Sequence, residues 1–407
     1  MPKKVLIIGA GFGGISAALA FTRHRKPNLK VTLVSARPHF EYHAALYRVV
    51  TGKSPLEVCI PLDTIFKNKP VELIVDTIEE IDVSKKTARG ISGSHYTFDY
   101  LILGLGAETA YFNVPGLKEF SFGFKSITEA LHLKNHLHGL LEATKISDTD
   151  KEEDMTRLHV VVVGAGASGV ELAGELRAYL TKIAKIHKVD ERLITVDLIE
   201  GAPRVLPALP EKVSKKVETQ LRHLGVNIFT NRSMEKEEVE EISLQGLKMK
   251  TSTVIWTAGI KPNSLYSKIP GLSFDKKGRV IVDEFLQTKG LENIFVIGDG
   301  ATTKYSGMAQ TAVRDGAQAA ENVLLHQGGK SMRQYVAKKP YYSVPVGPGW
   351  AATILGKITV YGNIGWFFRR AADLRYFLSI LPLPKAIIVW RSGKKLSESC
   401  DICAPKN

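Results

Sequence analysis

A chain that writes Gly-x-Gly-x-x-Gly twice, each time between an aliphatic run and a helix, has little freedom in what it can fold into. Residues 160–176 read VVVVGAGASGVELAGEL. Four successive valines before a turn signal make a parallel strand buried on both faces. Gly164-x-Gly166-x-x-Gly169 follows, and Val170, Glu171, Leu172 and Ala173 open a helix. The first glycine allows the tight turn. The second lets a pyrophosphate reach the backbone, and the third lets helix and strand close up. The helix N-terminus then offers unpaired N–H groups to phosphate. The other copy starts the chain: an apolar strand over 5–8, Gly9-x-Gly11-x-x-Gly14, a helix over 15–23 and a second strand over 31–34. Two dinucleotide sites in one chain imply two redox nucleotides that exchange electrons.

In such sites an acidic residue usually ends the second strand and holds the adenosine ribose. In the first site that place is Ser35, which bonds a hydroxyl without the charge-assisted strength of a carboxylate. Arg37 lies close enough to reach a phosphate. In the second site the place is Glu200, after a strand over 193–199. A carboxylate accepts from both ribose hydroxyls and repels a 2′-phosphate, so NADH is expected over NADPH. Arg204 is the one nearby residue that argues the other way. Gly169 and Glu200 stand 31 residues apart. The usual interval is about 20, so a long helix over roughly 168–188 is predicted.

The remaining segments fall into place around these fingers. Residues 39–52, HFEYHAALYRVVTG, read as a helix packed on the first domain or as a flavin lining. Residues 71–97 alternate as a small antiparallel insert. Two strands end in small residues, at Gly104, Gly106 and Ala107 and at Ala258 and Gly259, where backbone can approach a cofactor. Asp299 sits in the turn Gly298-Asp299-Gly300, suited to a ribitol hydroxyl. A helix carrying Ala309, Gln310 and Arg314 follows. No His, Cys or acidic spacing demands a metal.

The length, 407 residues, predicts two or three domains. The net charge of +14 is unevenly spread: residues 331–407 hold twelve Lys or Arg against three Asp or Glu. No nucleic-acid motif accompanies it, so a solvated tail and an anionic membrane surface are the two readings. Cys59, Cys400 and Cys403 are too few for a disulfide framework, which points to a reducing compartment. The start could pass for a signal peptide, but its apolar run is a strand feeding a glycine finger. No apolar run is long enough for a transmembrane helix.

Taken together, the two fingers, Glu171, TAG at 257–259 and GDG at 298–300 resemble the two-dinucleotide flavoprotein reductases. The resemblance implies an α/β protein with two Rossmann-like domains, the NADH domain (117–284) inserted in the FAD domain (1–116 and 285–330). A C-terminal region (331–407) would serve membrane anchoring or dimerisation. Within that superfamily the disulfide reductases need a redox cysteine pair after the first βαβ unit, where Cys59 stands alone. Sulfide:quinone oxidoreductases need cysteines in the middle and later parts, and none lies between Cys59 and Cys400. The stretches HFEYHAALYRVVTGKSP, FDYLILGLGAET, GAGASGVELAGEL, TVIWTAGIKPN and GPGWAATILGKITVYGNIGWFFRR resemble type II NADH:quinone oxidoreductase, the single-subunit NADH dehydrogenase. The resemblance implies hydride transfer from NADH to FAD and then two electrons to a membrane quinone, without proton pumping. It places Glu171 near the flavin–nicotinamide face, and Gln310 and Arg314 near the acceptor. The family often carries AQxAxQ there; Arg314 replaces the second Gln, which opens the identity of the acceptor.

Near the C-terminus Ile364, Phe367, Phe368, Ala371, Leu374, Leu378 and Leu381 form one apolar stripe, with Arg369, Arg370, Asp373 and Arg375 largely off it. A basic amphipathic helix of this kind suits an in-plane anchor at an anionic membrane surface. The same pattern suits a stripe buried on the FAD domain or in a homodimer. The basic excess and the resemblance favour a peripheral enzyme at the cytoplasmic face of the membrane. The competing readings are a soluble NADH reductase for a small iron–sulfur protein or oxygen, and an apoptosis-inducing-factor-like flavoprotein that signals.

Overall fold

The computed structural model describes residues 2–23, 28–146 and 151–394. The described chain forms two compact units, each assembled from three stretches. The first holds residues up to 41, 60–108 and 260–340; the second holds 42–59, 109–259 and the chain from 341 on. The stretches of the two units alternate along the chain, changing over after residues 41, 59, 108, 259 and 340. The segment 42–59 leaves the first unit.

In the first unit a six-stranded sheet runs in the order Gln287–Thr288, Leu291–Val296, Tyr100–Leu103, Lys3–Ile8, Leu29–Ser35, Glu72–Val75. All neighbours are parallel except the first pair. Leu6, Ile8, Val34, Leu101, Leu103 and Val296 fill its core. Glu72–Val75 was expected in the antiparallel insert. It pairs instead with the main sheet, Thr32 opposite Glu72, and the Thr32 hydroxyl donates to the Glu72 carboxylate at 2.7 Å. The insert itself is Ile78–Asp82, Thr87–Gly90 and His95–Thr97. Helices Phe12–Arg23 and Ala309–Gln327 pack so closely that a Cβ on Gly316 would stand 2.0 Å from the Gly13 carbonyl oxygen.

In the second unit the sheet is wholly parallel, in the order Phe122–Gly123, Thr253–Trp256, His159–Val163, Thr195–Ile199, Val226–Phe229. The valine run is its central strand, with Val160 to Val163 buried. The long helix after the second finger is Ala167–His187, ended by Lys188 in the left-handed region (φ 59°). Cys59 is buried and disulfide-bonded, so the reading of the cysteines as reduced thiols does not hold for it. Cys400 and Cys403 lie outside the described residues.

The C-terminal sheet Tyr342–Pro345, Ala351–Leu355 and Ile358–Val360 and helices Gly362–Ile380 and Leu383–Ser392 belong to this second unit, not to a region of their own. The reason is local: Gly174 in the long helix has no side chain, and the Gly347 backbone enters to within 2.9 Å of where a Cβ would be. Helix Gly362–Ile380 buries charged side chains along with the apolar Phe377 and Ile380, and exposes much of the predicted apolar stripe. Arg369, Arg370 and Asp373 are buried, while Ile364, Phe367, Phe368 and Leu378 are exposed. Among the described residues no helix is long and apolar enough to cross a membrane.

Candidate functional site

The two fingers have the same geometry. Gly9 and Gly164 both take φ +103°, a backbone conformation that a side chain would strain. A Cβ on Gly9 would lie 2.3 Å from the Gly104 carbonyl oxygen, and one on Gly164 would lie 2.7 Å from Ala258 Cα. The small residues at the two strand ends are thus what the first glycines press against. A Cβ on Gly14 would meet Gly9 O at 1.8 Å, and one on Gly169 would meet Gly164 O at 1.8 Å. The middle glycines differ: at Gly11 and Gly166 nothing lies within 4 Å. That open space at a helix N-terminus is where a pyrophosphate fits.

In the first unit, Ser35 is buried and accepts from the Arg37 amide at 3.3 Å, so it caps its own turn. Arg37 pairs with Glu41, a carboxylate that sequence reading missed and that also lies 3.4 Å from His39 Nε2. Its signal was the alternation of His39, Phe40 and Glu41, which the structure shows as a short strand. Gly106 adopts φ +68° with open space beside it, and its carbonyl accepts from Asn263 N at 3.1 Å. Ala107 opens the next strand, Ala107–Thr109.

Asp299 lies half-buried in the turn Gly298–Gly300. The turn is held from helix Ala309–Gln327 by Asp315, whose Oδ2 accepts from Gly298 N at 3.1 Å and Thr303 Oγ1 at 3.3 Å. Burial pushes the Asp315 carboxyl up to about 6. Ala309 and Gln310 form the half-buried start of that helix. Arg314 donates from Nη1 to the Lys338 carbonyl at 2.9 Å, so it helps hold the extended segment 331–340 that Gln318 and Asn322 also bind through Arg333 O.

In the second unit, Glu200 accepts from Ala165 N at 2.7 Å and from Ala202 N at 2.8 Å. Its carboxylate is thereby fixed across the mouth of the finger. Gly259 is crowded: a Cβ there would stand 2.3 Å from the Phe112 ring and 2.6 Å from Ala110 O. Thr257 Oγ1 lies 2.9 Å from both Val163 O and Gly164 O, which ties the two strand ends together.

Glu171 is the fifth residue of helix Ala167–His187, past its first turn, which holds no acidic residue. The helix start at Ala167 moves Glu171 one turn in from the opening of the helix where the sequence put it. Burial pushes its carboxyl up to about 8; Arg369 and Arg48 pull it down, and Asp373 and Glu175 push it further up. Arg48, Arg369 and Asp373 belong to a buried charge cluster that the sequence did not reveal. Arg48 donates to Glu57 at 2.7 Å and to Asp373 through both terminal nitrogens at 3.1 Å. Arg369 donates to Asp373 at 2.7 Å and also to the Ala44 carbonyl. Arg370 bonds Glu57, Asp373 and the Trp390 carbonyl. Among the described residues no acidic, His or Cys group is arranged to hold a metal.

A family model described as pyridine nucleotide-disulphide oxidoreductase matches residues 3–316. The chain belongs to the pyridine nucleotide-disulphide oxidoreductase family. It is similar to the type II NADH:quinone oxidoreductase NdhA of Mycobacterium tuberculosis, with 29% identity over 95% of this chain and 86% of that one. It is similar to the type II NADH:quinone oxidoreductase of Staphylococcus aureus, with 26% identity over 93% and 96% of the two chains. In fold it matches NDH2 of Plasmodium falciparum, solved with NADH, with a TM-score of 0.88 at 18% identity over 97% of each chain. The sulfide:quinone oxidoreductase of Aquifex aeolicus shares the fold at a TM-score of 0.73 and 19% identity, covering 96% and 92%.

As a member of this family the chain is a flavoprotein oxidoreductase that uses a pyridine nucleotide. Its residues fit FAD and NADH: two cradles with open middle glycines, and a fixed carboxylate at the second. It lacks the redox cysteine pair of the family's disulfide-reducing members, since Cys59 is its only cysteine before residue 400.

Proposed function

We propose that the chain is a peripheral enzyme of the cytoplasmic membrane face, oxidising NADH and reducing a membrane quinone without pumping protons. The observation that carries this reading is the outward apolar face of the C-terminal helices. Ile364 is 62% exposed, Phe367 65%, Leu383 60% and Ile388 59%. Exposed Arg375, Lys385 and Arg391 stand on the same two helices. Large apolar groups in water beside basic residues suit an interfacial helix on anionic lipid. The names of the M. tuberculosis and S. aureus relatives support quinone as acceptor.

Bound FAD supplies the two-electron chemistry that links a hydride donor to a quinone. The chain's own residues bind and orient. Gly11 and Gly166 leave room for the pyrophosphates, Glu200 accepts from the adenosine ribose, and Asp299 accepts from the ribitol. Ser35 and Arg37 flank the other adenosine. Gln310 and Arg314 serve the acceptor side. Glu171 keeps a proton on its carboxyl at neutral pH, ready for a quinone that gains protons as it is reduced.

The test is NADH oxidation by the full chain with short-chain ubiquinone, a menaquinone analogue, ferricyanide and oxygen, run beside flotation on anionic vesicles. Fast turnover with a quinone and flotation with the vesicles are expected. Turnover with oxygen or an iron–sulfur protein alone, without flotation, overturns the reading. Chains that stay off vesicles but self-associate through this face would assign it to a homodimer.

A further inference from the structure

The loop that follows Glu200 is folded by one side chain. Arg204 Nη1 donates to Leu206 O at 3.2 Å, to Leu209 O at 2.9 Å and to Ser214 Oγ at 2.6 Å. Its Nη2 donates to Pro207 O at 2.7 Å. Ser214 is buried and also bonds the Val205 carbonyl. A guanidinium is a planar fork of five donors, and here the two terminal nitrogens meet four acceptors.

The loop reaches the second finger through Leu206. This residue is buried and takes φ +48°, the left-handed region that a branched side chain avoids unless its surroundings hold it there. Its amide donates to the carbonyl of Ala165 at 2.8 Å. Ala165 is the residue between Gly164 and Gly166, and its own amide donates to Glu200 Oε2 at 2.7 Å. Both backbone groups of Ala165 are thus held by one loop, the amide by Glu200 and the carbonyl by Leu206. Arg204 and Ser214 hold Leu206 in turn.

We propose that Arg204 is a positioning residue for nucleotide choice: it folds residues 204–214, seats Leu206 on Ala165, and so fixes the finger and Glu200 for the adenosine ribose of NADH. It is not a ligand for a 2′-phosphate. To meet a phosphate its guanidinium would have to leave the carbonyls of Leu206, Pro207 and Leu209 without their donor, beside a carboxylate that repels the same phosphate. The proposal rests on the reading that the second finger binds NADH.

The two roles for Arg204 predict opposite results. In the FAD-loaded full chain, Arg204→Ala should raise both the directly titrated Kd and the KM for NADH about tenfold or more, since displaced positioning groups cost that much. kcat at saturating NADH and the flavin content should stay near those of the parent, and NADPH should bind no better than before. A variant that binds NADH like the parent but has lost affinity for NADPH would make Arg204 a phosphate ligand and overturn the proposal. Should Arg204→Ala fail to fold, Ser214→Ala removes one acceptor and the tie to Val205. It should raise the NADH Kd several-fold, and an unchanged Kd there overturns the proposal. If the parent chain itself retains FAD but binds neither nucleotide, the reading of the second finger fails instead.

Discussion

Asp373 Oδ1 accepts a hydrogen bond from Tyr42 Oη at 2.7 Å, across 331 residues of sequence. The same carboxylate meets Arg48, Arg369 and Arg370, and Glu57 shares Arg48 and Arg370 with it. All five charged groups are buried. Three cations against two anions leave no spare negative charge. The C-terminal helix is therefore held to its unit by these charges together with buried Phe377 and Ile380, while Ile364, Phe367, Phe368 and Leu378 face outward.

Asp373→Ala should accordingly be among the most damaging substitutions in the chain. It leaves three buried guanidinium groups with Glu57 alone, and breaking a buried pair costs about 3–5 kcal/mol. Asp373→Asn keeps an acceptor for Tyr42 and should cost less. Burial raises the Asp373 carboxyl, but Arg369, Arg48 and Arg370 outweigh burial and hold it below the usual range. A depressed carboxylate stabilises above its unfolded value and loses that stabilisation as pH falls. Thermal unfolding should show the gap between parent and Asp373→Asn narrowing below about pH 4.

The exposed face makes a separable prediction. Phe367→Asp removes a ring that is 65% exposed, so the melting temperature should hardly move, within about 0.5 kcal/mol of stability. Partition onto anionic vesicles should fall about tenfold, because burying a Phe side chain contributes roughly 1.5–3 kcal/mol. A large loss of stability in solution would mean that the ring packs within the protein.

Within a finger, two glycines should fail in different ways. Nothing lies within 4 Å of a Cβ at Gly11, whereas one at Gly14 would stand 1.8 Å from Gly9 O. Gly11→Val should fold with an ordinary melting curve yet purify without FAD, its side chain occupying the pyrophosphate's space. Gly14→Val should not fold, because backbone cannot yield by that much. Flavin absorbance and circular dichroism of the two variants separate the outcomes.

These contrasts also mark what can be read from residues in a line. Glycine spacing, the valine run and the small strand ends are local, and each appears in the structure where it was expected, including the long helix after Gly169. What could not be read is which side of an amphipathic helix is wet. Ile364, Phe367 and Phe368 and Arg369, Arg370 and Asp373 have the same periodicity whichever side faces in. The deciding partners, Tyr42, Arg48 and Glu57, lie more than 300 residues away. Arg204 shows a similar gap: its charge near Glu200 suggests a phosphate, while its four acceptors in the structure are backbone and serine oxygens that no motif announces.

Glu171 and Glu237 together give a test of the proton-holding role that separates chemistry from stability. Burial pushes both carboxyls up to about 8, Glu171 against the pull of Arg369 and Arg48 and Glu237 with no opposing charge. Glu237 lies in strand Met234–Glu238 and is 4% exposed. A carboxyl raised in the folded state stabilises fully below its unfolded value and loses that contribution as pH climbs through the folded one. Both Glu171→Gln and Glu237→Gln should therefore melt higher than the parent at pH 9 and nearly with it at pH 5. Turnover should divide them. The parent's quinone reductase rate should fall as pH rises through about 8, where Glu171 loses its proton. Glu171→Gln should retain FAD, turn over about 10²–10⁴-fold more slowly if that proton is transferred in the rate-limiting step, and lose that limb of the profile. Glu237→Gln should keep both the rate and the profile. Equal rates in all three proteins would remove the proton-holding role from Glu171.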